Sequence, residues 1–170
     1  MLSLWLRPLR FFARALVDQD TPRQLALGFA LGMICGLVPK GNLIAVVLMI
    51  IICGSKVNLG TAMLAAFLFS WVGVLTDPLA HDMGLWLLTQ DSLQSFWTSL
   101  YNMPIVPWTK FNNTIVLGSL MLGLFLFVPV YGLARSRFAV WQPKWAARIR
   151  KFKVAQILLG AECAGKLGGA

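Results

Sequence analysis

The sequence predicts an all-α polytopic membrane protein with broken or re-entrant helices and amphipathic terminal helices. Three observations lead there. The 170 residues are 58% hydrophobic and only 12% charged, with a mean hydropathy of +0.74, whereas a soluble domain carries about 25% charged residues. Apolar stretches are interrupted by proline beside a charge, at Pro39-Lys40-Gly41-Asn42 and again at Thr76-Asp77-Pro78. The bases gather toward the two ends of the chain, the pattern of lysine and arginine that marks the cytoplasmic flanks of membrane spans. Both termini are therefore placed in the cytoplasm. The net charge of +9 is assigned to anionic lipid headgroups and not to nucleic acid.

Residues 1 to 19 predict an amphipathic helix lying in the membrane interface. Arg7, Arg10 and Arg14 recur on one side, and Trp5, Leu9, Phe12 and Leu16 fall largely on another. A cleavable signal peptide needs an unbroken apolar core of about 7 to 15 residues, and Arg7, Pro8, Arg10 and Arg14 interrupt this one.

Residues 20 to 134 form the membrane domain. Its first segment, 21 to 53, opens with Thr21 as cap, Pro22 at the first helical position and Gln24 completing a capping box. Residues 25 to 38 extend about 21 Å as helix and residues 43 to 53 about 16 Å, against a hydrocarbon core about 30 Å thick. Neither half crosses alone. The pair is either a hairpin that leaves on the side it entered or a single crossing broken in the middle. Both put Lys40 at depth, where irregular backbone and charge must be covered by protein or line a water-filled cavity. Gly28, Gly32 and Gly36 repeat every fourth residue, a flat ridge that lets another helix approach closely. Ala62, Ala66 and Ser70 make a second small-residue face, and the two are the expected central contact.

The second segment, 59 to 88, repeats the plan loosely: a long apolar run, the polar-proline break, and a short helix from 79 to 88 begun by Asp77 as cap and Pro78 at the first position. Paired interrupted segments mark binding sites in transporters. Pro39, Lys40, Gly41, Asp77, Pro78 and His81 are therefore the candidate helix-break site. Either Lys40 and Asp77 meet at depth and pair, or offer their charges to a polar ligand, or each break reaches the surface and is hydrated. Residues 89 to 113 mix tryptophan and tyrosine with polar groups and few bases, which predicts a periplasmic segment at the water boundary. Residues 114 to 134 are the clearest crossing, stopped by Arg135 and Arg137. Residues 135 to 170 are read as a basic cytoplasmic tail in which Arg148, Arg150 and Lys151 join Arg7, Arg10 and Arg14 as membrane-surface bases.

Groups able to do chemistry are sparse. Cys35, Cys53 and Cys163 are an odd set without paired spacing and read as buried thiols. His81 follows Asp77 by four residues, yet two ligands do not make a metal site. Ser70 lacks the Gly-x-Ser-x-Gly turn of a hydrolase. The glycines from 28 to 36 follow no strand and are no dinucleotide fingerprint. No catalytic residue, metal or cofactor is expected.

The stretch from Thr21-Pro22-Arg23-Gln24 through Gly28-Phe29-Ala30-Leu31-Gly32, the break at Pro39 and the second break at Asp77-Pro78 resemble the bacterial membrane family called domain of unknown function 2062. The resemblance covers roughly residues 20 to 90, and the family often has Asn-Pro at the second break. It implies a small inner-membrane protein of bacteria and supplies no catalytic residues. The expected function is a non-enzymatic scaffold or subunit of an envelope complex that handles lipids, docking a membrane or periplasmic protein partner or a second copy through the glycine ridge and the aromatic segment. The alternative is a small transporter or lipid flippase with its site at the two breaks; an intramembrane enzyme is the weakest of the three.

Overall fold

The first helix starts where its capping residues direct. Thr21 Oγ1 accepts from the Gln24 backbone N–H at 3.3 Å, and Gln24 Oε1 accepts from the Thr21 N–H at 2.9 Å, so two otherwise orphaned donors are satisfied before the apolar stretch begins. This computed structural model of the chain describes residues 21–151, with side chains described as far as Gln142. The interfacial helix expected at residues 1 to 19, with Arg7, Arg10 and Arg14, and the tail beyond residue 151 lie outside the described residues, as do the side chains of Arg148, Arg150 and Lys151. Within them the chain is all-α: α1 is Pro22–Leu37, α2 Leu43–Gly54, α3 Leu59–Leu88, α4 Gln94–Tyr101 and α5 Thr114–Lys151, with 3-10 turns at Asp91–Leu93 and Val106–Thr109.

The core is built around α1. Leu25, Ala26, Ala30, Met33, Ile34 and Leu37 are all buried along it, because α2, α3 and α5 each pack against it. Small residues set the approach. A Cβ on Gly28 would lie 2.5 Å from Asn58 O, one on Gly32 would collide with Ala62 O, and one on Gly36 would lie 2.8 Å from Ala66 O. Leu37 in turn lies beside Gly73. These pairings rise together in number, so α1 and α3 run parallel. On α5, Gly118 meets Ala80, Thr114 meets Gly84, and Phe138 reaches back to Phe29, so α5 runs antiparallel to both.

Residues 21 to 53 form a hairpin. The Asn58 N–H donates to Gln24 O at 3.3 Å, and Ser55, Lys56 and Val57 line one hollow with Arg23 and Gln24; the end of α2 has returned to the start of α1. The two halves therefore do not continue in one line. The tip lies level with Gly73, about 21 Å along a helix about 45 Å long.

Three expectations are corrected. Residues 59 to 88 are not broken at Asp77-Pro78, and residues 79 to 88 are no separate helix: α3 is continuous with Pro78 inside it, so Asp77 is no cap. Proline removes one backbone donor, here toward Val74, and packing on both sides outweighs that loss. Gly73 is pressed on α1 before the proline, and Ala80 and Gly84 are buried against α5 after it. Nor does the last helix stop at residue 134; α5 runs through Arg135, Arg137 and Pro143 to Lys151. Cys35 is buried, but Cys53 is exposed on α2; Cys163 lies outside the described residues.

The connection between α3 and α5 is held by its aromatic residues. Trp97 Nε1 donates to Leu87 O at 3.2 Å and Gln94 Nε2 to Leu88 O at 2.7 Å, satisfying carbonyls that the end of α3 leaves free. Trp97 stacks on buried Phe111 at 5.8 Å. The Val106–Thr109 turn packs against α2 as well as α4.

The outer surface is strongly apolar. Phe67, Trp71 and Leu75 of α3 and Phe125 and Val128 of α5 are exposed. Two helices, Leu59–Leu88 and Thr114–Gln142, are long and apolar enough to cross a membrane, and only 28% and 33% of their most apolar windows is buried.

Candidate functional site

Five residues turn α1 into α2, and each has a local reason to be there. Val38 ends α1 with its N–H donating to Ile34 O. Pro39 has no N–H to offer the Cys35 carbonyl, which accepts from Lys40 Nζ instead. Gly41 has φ +87°, backbone that a side chain would strain. Asn42 is buried and caps α2: its Oδ1 accepts from Ala45 N–H at 2.9 Å, and its Nδ2 donates to Pro39 O at 2.7 Å.

Lys40 closes the turn. Its Nζ donates to Cys35 O at 2.7 Å, Gly36 O at 3.0 Å and Val38 O at 3.0 Å. An ammonium carries three donors, and all three go to carbonyls at the end of α1. A cation there also meets the negative end of the helix dipole. The turn thus satisfies its own polar groups, and no buried side-chain nitrogen or oxygen lacks a partner among the described residues.

The other candidates are not gathered with it. Asp77 is half-buried and Pro78 exposed in the interior of α3. His81, one turn on, lies with its Nδ1 2.7 Å from Thr114 Oγ1 and so bonds to α5. Lys40 is saturated by α1 and does not serve as a partner to Asp77. Of the small-residue sets, Gly28, Gly32 and Gly36 lie against α3 around Asn58, Ala62 and Ala66, while Ser70 turns its hydroxyl to Ala66 O of its own helix at 2.6 Å. The glycine ridge is consumed inside the bundle and offers nothing to a partner.

Sequence reasoning passed over three polar residues that hold this arrangement together. Asn42 and Asn58 are the caps of α2 and α3, and buried Thr61 donates to Leu25 O at 3.1 Å, tying α3 to α1. The asparagines were legible as caps directly preceding apolar runs. Thr61 carried no such signal, because its acceptor is 36 residues away.

Charge separates along the bundle. The end where α1 and α3 begin carries Arg23, Lys56, Arg135 and Arg137. The opposite end carries Asp82, Asp91 and Lys110. Among the described residues no group of three His, Cys, Asp or Glu side chains is placed to hold a metal ion.

Comparison with known proteins gives two findings. The family model described as "Uncharacterized protein conserved in bacteria (DUF2062)" matches residues 6–146, well beyond residues 20 to 90. A protein of Treponema pallidum (strain Nichols), itself described as uncharacterized, is 31% identical over 137 residues, covering 81% of this chain and 85% of the relative. No solved structure matches the chain.

Proposed function

This chain belongs to the DUF2062 family of bacterial proteins, and from its apolar outer surface and unpartnered hairpin helix we propose that it is a multi-pass inner-membrane protein acting as a non-enzymatic scaffold or subunit of an envelope complex, one concerned with lipids. In this reading α3 and α5 cross the bilayer, the α1–α2 hairpin re-enters from the cytoplasmic side, and both termini stay there. The apolar outer surface of two long, mostly unburied helices supports the crossing. The basic end supports the orientation, and the self-satisfied turn at Lys40 suits a tip at membrane depth, where unpaired polar groups are costly.

One observation carries the subunit reading. Helix α2 is apolar around its whole circumference, yet only Ala45 and Ile52 are buried; Val46, Val47, Met49, Ile50 and Ile51 face outward. At 12 residues this helix is held by one stripe and is too short to cross the hydrocarbon core alone, and in our reading its outward face is where a transmembrane partner docks. The transport alternative drew on two interrupted segments, and with α3 continuous only the hairpin break remains. The test is gentle extraction of the natively expressed protein with mass spectrometry of what accompanies it. A stoichiometric membrane protein, lost when Ile50→Lys is introduced, is the expected result. Solute uptake or lipid flipping by vesicles containing this protein alone would overturn it in favour of transport.

A further inference from the structure

Between α1, α3 and α5 runs a slot of about 410 Å³ walled by Phe29, Leu64, Phe69, Val130, Leu133 and Phe138. Phe29 is its aromatic spine: its ring meets Phe69 edge-on at 5.9 Å and Phe138 at 6.0 Å. The polar atom of the α3 wall is already engaged, since Thr61 Oγ1 donates to Leu25 O and Asn58 O. One end of the slot is different. Arg137 stands there with Cζ 5.9 Å from the Trp141 ring centroid, just past Arg135, where the charge-free stretch of α5 ends.

The lining and the mouth select the occupant. From Val130 to Arg137 is about 10 Å of helix, within the roughly 15 Å that one leaflet contributes to the hydrocarbon core, so the slot lies in one leaflet. A single flexible hydrocarbon chain fits, and a guanidinium at the mouth matches a phosphate in charge and in hydrogen-bond geometry. We propose that this slot binds one acyl chain of an anionic phospholipid from the leaflet on the basic side, with its phosphate on Arg137. The proposal rests on the membrane reading above. It is independent of which protein, if any, docks on α2.

The experiment compares protein purified from membranes and stripped by detergent exchange, with retained phospholipid read by native mass spectrometry. The wild type is expected to keep one anionic phospholipid per chain. Leu133→Trp and the smaller filler Ala134→Met are expected to lose it, and Arg137→Gln to lower the preference for phosphatidylglycerol over phosphatidylcholine about tenfold. Equal retention by the filled variants and the wild type means surface lipid only and overturns the proposal. So does a crosslink from a photoreactive residue at position 133 to residues 5 to 16, which would make the chain's own N-terminal segment the occupant. Alkaline carbonate extraction of the same membranes separates the two readings: protein that stays in the pellet while lipid retention fails sinks the slot alone.

Discussion

Gly32 and Gly132 differ only in what surrounds them, and the difference sets opposite outcomes. A Cβ on Gly32 has nowhere to go but the Ala62 carbonyl, so Gly32→Ala must push α1 off α3, at a cost of about 1–3 kcal/mol. Nothing lies within 4 Å of a Cβ on Gly132; Gly132→Ala should be neutral or slightly stabilising, since alanine is the better helix former. Thermal unfolding of the two variants in one detergent checks the contrast. Lys40 supports a second prediction. Lys40→Ala leaves the carbonyls of Cys35, Gly36 and Val38 without their shared donor, which should cost about 1–3 kcal/mol. Because the ammonium is spent on those carbonyls, adding Asp77→Lys to Lys40→Asp should restore nothing. Recovery of expression or thermal midpoint in the double variant would mean that the two side chains pair.

Helix α3 shows that a proline beside a charge does not by itself end a helix. Pro78 is exposed, so replacing it removes little packing while it restores an N–H for the Val74 carbonyl. Pro78→Ala should therefore raise the thermal midpoint, by about 1–3 kcal/mol of stability, with helical content by circular dichroism unchanged. A fall in stability would mean that the proline is needed to shape a bend or break. At Pro39 the same residue type does end a helix. The distinction is that Gly41 and Asn42 follow it, one supplying a positive φ and the other a cap, and nothing of the kind follows Pro78. Sequence reading weighed the two prolines alike. Their neighbours, read as caps and turn residues, already separated them.

For the whole bundle, the arrangement of the hairpin makes a topological prediction. Thr21 and Lys56 sit at the same end, since the hairpin returns beside its start, whereas Ser92 sits in the connection at the far end of α3. In a background with the native cysteines replaced, Thr21→Cys and Lys56→Cys should react with an impermeant maleimide from the cytoplasmic face, and Ser92→Cys from the periplasmic face. Labelling of positions 21 and 56 from opposite faces would make the hairpin a crossing. The amino-acid sequence alone determined the helical class, the capped start at Thr21, the interruption at Pro39 and the apolar character of the outer surface, because hydropathy, capping and turn chemistry act over a few neighbouring residues. Tertiary structure alone decided that the interrupted segment doubles back, that α3 continues through Pro78, that Lys40 serves its own helix, and that a slot opens beside Phe29. Each of those outcomes depends on contacts between residues distant in the chain, such as Gly73 with Leu37 and Gly84 with Thr114, whose packing outweighs the local preference.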